Sequence, residues 1–227
     1  EFAMKRLDIL GWSVETGEIK PCQKHVDAIL KMAPQKTKKG VRALVGLVGY
    51  YRSLIPNLAH IIHDLTELLK RDQPDKNIHW QQCHTDALNE IKRIMTSKPV
   101  LVPPIFDGRG YILATDATIT SVAGCLLQKD DQGVERNIGY FSKKLLPSRR
   151  KWSVLELECY GILTGCLKFH EIVYGFPILA RTDHRSLEFL DSLSQSNSRV
   201  VRWRIILSNY NLTTQYRPAA EHANCDG

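Results

Sequence analysis

Two aspartates in the second half of the chain each end a short apolar run. Asp116 closes the run at residues 112–116, and Asp183 closes the run at residues 178–183. Open α/β folds place catalytic groups at the carboxyl ends of their strands, so neighbouring strands would bring these two carboxylates to one sheet edge. Carboxylate oxygens are the ligands that hard divalent cations prefer, and a two-metal hydrolytic site needs several of them.

A third acid, Glu158, lies about one turn into a predicted helix that begins near residue 152. It lies on a face that could lean over the same sheet edge. Glu156 is its competitor, because a residue two positions earlier points to a different side of a helix. Taken one at a time, each of these acids is more typical of a solvated or helix-capping residue than of a metal ligand. Their types and spacing alone leave both interpretations open.

The first part of the chain is predicted to be mainly helical. A strand pair or turn at residues 7–21 precedes a helix at residues 23–32. Apolar residues then recur at i, i+3, i+4 and i+7 within residues 41–48, and the same spacing returns at residues 58–69. This pattern predicts two amphipathic helices that form a hairpin. The polar, proline-containing stretch at residues 71–77 is predicted to be a linker.

From residue 111 onward, the residue pattern becomes typical of β-strands. A helix at residues 82–95 and a proline-rich extended stretch precede this change. Three strands in hairpin connection are then predicted, followed by a helix, a strand, helices and a last strand; the later elements fall at residues 152–174, 177–182, 186–193, 198–208 and 212–216. This order predicts an α/β (α+β) fold in which helices cover a mixed sheet.

Composition narrows the classes of function. The net charge of +7 over 227 residues is compatible with a polyanionic partner. The six cysteines form no C-x-x-C pair, which argues against a zinc site. No stretch approaches the roughly 20 apolar residues of a membrane span, and no signal-peptide pattern is present. We therefore expect no membrane partner and an intracellular, cytoplasmic location rather than secretion.

Several segments resemble one known family. YILATDA (111–117), WSVLELEC (152–159), RTDHRSL (181–187) and YRPAAEHANCDG (216–227) resemble, in order, the four active-site segments of RNase H domains in gypsy-type LTR retrotransposon polyproteins. GYFSKKL (139–145) is similar to the third strand of that domain. VRALVGLVGYYR (41–52) resembles the thumb helix of the same reverse transcriptases, and residues 79–88 resemble their connector. The resemblance spans the chain from about residue 7 to its end.

The resemblance implies a domain organisation and an activity. A thumb-like helical domain would occupy residues 1–71, a connector residues 72–108, and an RNase H-like domain residues 109–227. The implied activity is hydrolysis of the RNA strand of RNA/DNA hybrids by two Mg²⁺ ions, with Mn²⁺ as a substitute. The implied partners are the hybrid and the remaining fingers and palm of the reverse transcriptase. No Tyr-x-Asp-Asp stretch is present, so we expect no polymerase activity from this chain alone.

Carried over position by position, the four metal-binding acids of the family fall on Asp116, Glu158, Asp183 and Asp226. Asp226 is the penultimate residue of the sequence, whereas the family continues with a helix that carries the fourth acid at its start. We expect weaker binding of the second metal for this reason. Ala219 also replaces a usual glycine. His222 could shuttle a proton or be an ordinary loop histidine.

Two basic clusters could contact nucleic acid. Lys38, Lys39 and Arg42 lie at the start of a predicted helix and could follow phosphates, although a solvated helix face explains them equally well. The second cluster surrounds Trp203, which is itself more typical of a core position; its basic members are Arg199, Arg202 and Arg204. Arginines beside an aromatic side chain suit a nucleic-acid strand.

A rival hypothesis is a non-catalytic RNase H-like module that serves as a binding or tether domain in a domesticated, retroelement-derived protein. The presence of all four acids argues against this reading, because a decayed site would be expected to lose at least one. Sequence-specific DNA binding is a further alternative. No recognition-helix motif supports it.

Overall fold

The structure is a computed structural model, and it describes residues 5–97, 100–183 and 198–216. The chain divides into two compact units, Glu1–Pro103 and Pro104–Gly227. Each unit is described by itself. Within the described ranges, no helix combines the length and apolar character needed to cross a membrane.

The first unit opens with an antiparallel sheet of three strands, β1 (Arg6–Ile9), β2 (Trp12–Glu15) and β3 (Glu18–Pro21). The sequence predicted only a strand pair or turn in this region. Two tight turns account for the third strand. Leu10 and Gly11 have positive φ values of 49° and 83° in the first turn, and Gly17 has a φ of 77° in the second. Two consecutive positive φ values, as at Leu10 and Gly11, match the twist of a two-residue hairpin loop.

Helices follow in the described part of this unit: α1 (Gln23–Leu30), α2 (Lys38–Tyr50), α3 (Leu58–Ile61), α4 (His63–Glu67) and α5 (Gln82–Thr96). Thr37 caps α2 by accepting a hydrogen bond from the backbone of Gly40 at 3.1 Å. The helix predicted at residues 58–69 is interrupted at Ile62, whose φ and ψ of −88° and 8° leave helical geometry.

One apolar core joins these helices. Val41, Leu44 and Val48 of α2 are fully buried in it, as the predicted spacing requires. Leu88 and Ile91 of α5 lie in the same core. The helix that the sequence analysis assigned to a connector therefore packs within the first unit.

The second unit contains a five-stranded mixed sheet in the order β6-β5-β4-β7-β8. Its strands are β4 (Tyr111–Ala117), β5 (Ser121–Lys129), β6 (Glu135–Lys144), β7 (Pro177–Thr182) and β8 (Asn211–Tyr216). β4, β5 and β6 pair antiparallel, whereas β7 runs parallel to both β4 and β8. The predicted fold class is confirmed.

The helices described in this unit are α6 (Val154–Lys168), α7 (His170–Val173) and α8 (Ser198–Leu207). The helical stretch predicted at residues 152–174 is thus two helices that meet at Phe169, whose φ and ψ are −103° and 17°. The helix predicted at residues 186–193 lies outside the described residues.

Two glycines, Gly124 on β5 and Gly165 on α6, allow these two elements to approach β4 closely. On β5, a Cβ added at Gly124 would lie 2.3 Å from the backbone oxygen of Ala114, so only glycine fits that position. On α6, a Cβ at Gly165 would lie 2.8 Å from the side chain of Leu113, whereas one at Gly161 would make an ordinary contact of 3.6 Å with Thr115. α6 consequently lies directly on β4.

We expect Gly124→Ala to destabilise the second unit by about 1–3 kcal/mol, because the added methyl group collides with backbone that cannot rotate away. Gly161→Ala is the matched control. It adds the same atom where space exists and removes a helix glycine, so we expect up to about 1 kcal/mol of stabilisation. Urea unfolding monitored by circular dichroism measures both variants. Equal stability of the two would contradict the packing described here.

Candidate active site at the edge of the mixed sheet

The pairing of β4 with β7 brings Asp116 and Asp183 to one sheet edge. The two strands run parallel, with Ala114 opposite Arg181. Continuing this register by two residues places Asp116 opposite Asp183. Asp116 is half-buried and Asp183 is exposed, so the two carboxylates line an edge that solvent reaches.

α6 brings the third acid to the same edge. Glu158 lies three and seven residues before Gly161 and Gly165, so all three share the face of α6 that rests on β4. The residue is only 3% exposed. Its carboxylate accepts hydrogen bonds from the backbone of Ala117 and the side chain of Thr182. Its Oε2 atom is buried and has no hydrogen-bond partner in the part of the chain that the structure describes.

The electrostatic surroundings of Glu158 favour its protonated form. Its pKa is raised to about 8, with burial as the largest cause; the neighbouring charges of Asp183 and Asp116 add to the rise, and the hydrogen bonds from Ala117 and Thr182 oppose it. The three acids therefore lie within electrostatic range of one another. A buried carboxylate with like charges beside it and one unsatisfied oxygen is typical of a functional site.

Glu156, the competing acid, has a different environment. Its Oε2 accepts hydrogen bonds from the backbone N–H of Ser153 at 2.8 Å and from the Ser153 hydroxyl at 3.1 Å. The Ser153 hydroxyl in turn accepts from the Glu156 backbone, which completes a capping box at the start of α6. The other carboxylate oxygen of Glu156 is paired with Arg199. Glu156 thus serves the helix terminus and faces α8.

The donor set at this edge fits a hard divalent cation. Three carboxylates supply oxygen ligands only, and the Oε2 of Glu158 has no hydrogen-bond partner among the described residues. Among the described residues, however, no three acidic, histidine or cysteine side chains are close enough together to hold one ion between them. The fourth predicted acid, Asp226, lies outside the described residues, as do Ala219 and His222.

The basic residues predicted on α2 have two different environments. Lys38 is buried, with 5% of its surface exposed, and its Nζ lies 3.5 Å from Asp75. It is therefore held inside the first unit and does not present its charge to solvent, because a buried ammonium requires a partner. Lys39 and Arg42 are exposed on the same helix.

The arginines predicted on α8 also differ. Arg202 is exposed, and its Nε donates to the Ser198 carbonyl at 3.1 Å. Arg204 is half-buried. Burial raises the pKa of the Cys159 thiol to about 12, and the positive charge of Arg204 opposes this rise. Arg199 forms an ion pair with Glu156 of α6. Trp203 packs against Tyr160 of α6 at 5.4 Å, which agrees with the core interpretation of that residue.

A basic segment that the sequence analysis missed lies beside the acids. It spans residues 143–151 between β6 and α6, and its members are Lys143, Lys144, Arg149, Arg150 and Lys151. It begins at the sheet edge that carries the acids, since Ser142 of β6 pairs with Ala123 of β5, and Ala123 pairs with Asp116. All members except Arg149 are exposed. Five positive charges in nine residues are a visible sequence signal.

Known proteins share this arrangement. Residues 108–210 match the family described as the RNase H-like domain found in reverse transcriptase. The chain is 29% identical over 230 residues to the Transposon Tf2-3 polyprotein of Schizosaccharomyces pombe, and equally so to the Tf2-4 polyprotein. Each alignment covers all of this chain but 17% of the polyprotein. The chain therefore spans about a sixth of these relatives.

Solved structures show the same fold. A foamy viral protease-reverse transcriptase in complex with dsDNA has a TM-score of 0.78 and 21% identity, covering 95% of this chain and 45% of that one. The same enzyme in complex with RNA/DNA hybrid has a TM-score of 0.76 and 20% identity, covering 95% of this chain and 29% of that one.

Within the second unit, residues 108–210 are thus similar to the RNase H-like domain found in reverse transcriptase, and the sheet order agrees with that fold. The whole chain is similar to part of retroelement polyproteins, which agrees with the resemblance to gypsy-type LTR elements noted in its sequence.

The raised pKa of Glu158 predicts a pH-dependent stability in the absence of divalent metal. The group has an ordinary pKa of 4.5 and a folded value of about 8. The fold favours the protonated form, so the contribution is fully present below pH 4.5 and is lost as pH rises through 8. We expect Glu158→Gln to become more stable than the unaltered chain across this window, by up to a few kcal/mol. Urea unfolding in EDTA at pH 4.5 and pH 8 measures the difference, and parallel curves would contradict it.

Proposed function

We propose that the second unit hydrolyses the RNA strand of RNA/DNA hybrids with the help of two divalent cations. The proposed ligands are Asp116, Glu158, Asp183 and Asp226. The observation that carries the proposal is the buried Glu158 carboxylate, which is held beside Asp116 and Asp183 with one oxygen unsatisfied. A merely structural glutamate would be expected to have that oxygen paired, because an unmet buried acceptor is destabilising.

The roles of the protein groups follow from their surroundings. Asp116 and Asp183 offer carboxylates at the solvent-accessible edge, where a phosphodiester can approach. Glu158 offers its free Oε2 from beneath, and the hydrogen bonds from Ala117 and Thr182 fix the orientation of its carboxylate. The chemistry supplied by bound Mg²⁺ would be activation of a water molecule and neutralisation of charge on the leaving 3′ oxygen.

The substrate class is supported by charge and by the solved relatives. The exposed lysines and arginines of residues 143–151 follow Ser142, which lies two strands from Asp116 in the sheet, and they suit the phosphate backbone of a duplex. One structural neighbour is described with RNA/DNA hybrid bound. We infer that this chain recognises the A-like shape and the 2′-hydroxyls of a hybrid, with little reading of bases.

The parent protein is proposed to be a reverse transcriptase with fingers and palm that act together with this chain. The length of the relatives supports this proposal, because the alignment with this chain covers only 17% of the Tf2-3 polyprotein. We propose no polymerase activity for the chain alone, and Mn²⁺ as a substitute for Mg²⁺. A cytoplasmic location is part of the same proposal.

The activity is tested with a labelled RNA/DNA hybrid in Mg²⁺ or Mn²⁺. We expect a form extended past Gly227 to cut the RNA strand and Asp116→Asn in that form to lose at least about 100-fold in rate, because a ligand is removed while the shape is kept.

Binding without cleavage identifies the rival function. If the extended form binds hybrid with the affinity of Asp116→Asn but cuts it in neither metal, the nuclease proposal is wrong. The RNase H-like unit would then be a binding or tether module.

The basic segment is tested by removing two exposed charges with Arg150→Gln and Lys151→Gln together. We expect the slope of log Kd against log salt to fall by about 2, roughly one for each lost phosphate contact. Lys168→Gln is the control, since this exposed lysine ends α6, about 20 Å along the helix from its start. Fluorescence anisotropy with hybrid in EDTA gives both slopes. An unchanged slope in the double variant would remove this segment from the interface.

A further inference from the structure

The carboxylate of Glu156 connects two helices. One oxygen accepts two hydrogen bonds from Ser153 and so caps α6. The other oxygen is paired with the guanidinium of Arg199 on α8. The Glu156 side chain is 10% exposed, whereas that of Arg199 is 41% exposed. A single buried group thus ties the first turn of α6 to a neighbouring helix.

Arg199 contacts the start of α6 at a second point. Its guanidinium carbon lies 4.8 Å from the centre of the Trp152 ring, which is a cation–π distance. Trp152 precedes α6 by two residues, and Glu156 is the third residue of that helix. A planar guanidinium that is stacked on one residue and ion-paired with another has little rotational freedom.

Glu156 and Glu158 lie on nearly opposite sides of α6, because two residues correspond to a rotation of about 200°. The Arg199 contact therefore fixes the rotation of the helix from the side remote from the sheet. A side-chain carboxylate lies about 6 Å from a helix axis, so a rotation of about 10° would move it by about 1 Å. Displacements of that size matter for metal ligands, which need positions defined to about 0.5 Å.

We propose that Arg199 and Glu156 are positioning residues that hold the Glu158 carboxylate in register with Asp116 and Asp183. The inference rests on the proposed function, since it treats these acids as metal ligands. It assigns Arg199 to the support of the site rather than to contact with nucleic acid. The Arg199 side chain is 41% exposed, so its pair with Glu156 contributes little to global stability and its effect is local.

The test measures Mn²⁺ binding to the full chain without hybrid, by the electron paramagnetic resonance signal of free Mn²⁺. We expect Arg199→Met to weaken Mn²⁺ binding by about tenfold, as removal of groups that orient metal ligands commonly does. Arg199→Lys, which keeps the charge, should recover most of that loss. Lys168→Met is the matched control, because it removes one exposed positive charge from the far end of α6.

A second variant tests the same ion pair independently, in case Arg199→Met does not fold. Glu156→Gln keeps an acceptor for the capping box but loses the ion pair with Arg199. We expect it to weaken Mn²⁺ binding as Arg199→Met does, with a melting temperature within a few degrees of the unaltered chain. Hybrid affinity measured in EDTA should stay within about twofold for both variants, since neither group contacts the substrate.

Three results would overturn the inference. They are unchanged Mn²⁺ binding in both variants, a loss of hybrid affinity in EDTA that accompanies Arg199→Met, and no Mn²⁺ binding by the unaltered chain. Suppose that the chain binds Mn²⁺ with the expected dependence on Arg199, whereas its extended form cuts no hybrid. This result would support the inference and contradict only the proposed nuclease function. The two claims are therefore tested separately.

Discussion

The site depends on the burial of one carboxylate. Glu158 lies on the face of α6 that rests on β4, next to Asp116 and Asp183, and only 3% of its surface is exposed. Burial and like charge both oppose ionisation there, and together they raise its pKa to about 8. Such an arrangement is unfavourable at neutral pH. The surrounding packing, which fixes α6, maintains it, and a cation in the proposed site would offset the electrostatic penalty.

The packing that imposes this burial is specific. Gly165 lets α6 lie directly on β4, and Gly124 lets the neighbouring strand β5 approach β4 closely. The Ser153–Glu156 capping box sets where α6 begins, and therefore which of its residues reaches the carboxyl end of β4. Strand pairing, helix start and close packing thus converge on the position of one side chain.

Much of this arrangement could be predicted from local patterns. The apolar runs that end in Asp116 and Asp183 predicted two strands with acids at one edge, because that inference needs only the polarity of strands. The sequence also contains the Ser153-x-x-Glu156 capping signature, which could have assigned Glu156 to the helix terminus. Pairing over long distances was beyond such patterns. The parallel alignment of β4 with β7 joins residues more than 60 positions apart, and the burial of Lys38 beside Asp75 depends on tertiary packing.

The arginines on α8 show why composition misleads near a site of this kind. A cluster of arginines beside Trp203 looks like a surface for nucleic acid, yet Arg199 is turned towards Glu156 and Trp152. A basic protein with an acidic site can use its cations in two ways, because exposed charges attract a polyanion, whereas a cation that is ion-paired with an acid, as Arg199 is with Glu156, joins two helices. The basic stretch at residues 143–151 suits the first use, since four of its five charged residues are exposed. Partner and burial, rather than residue type, decide which role each cation has.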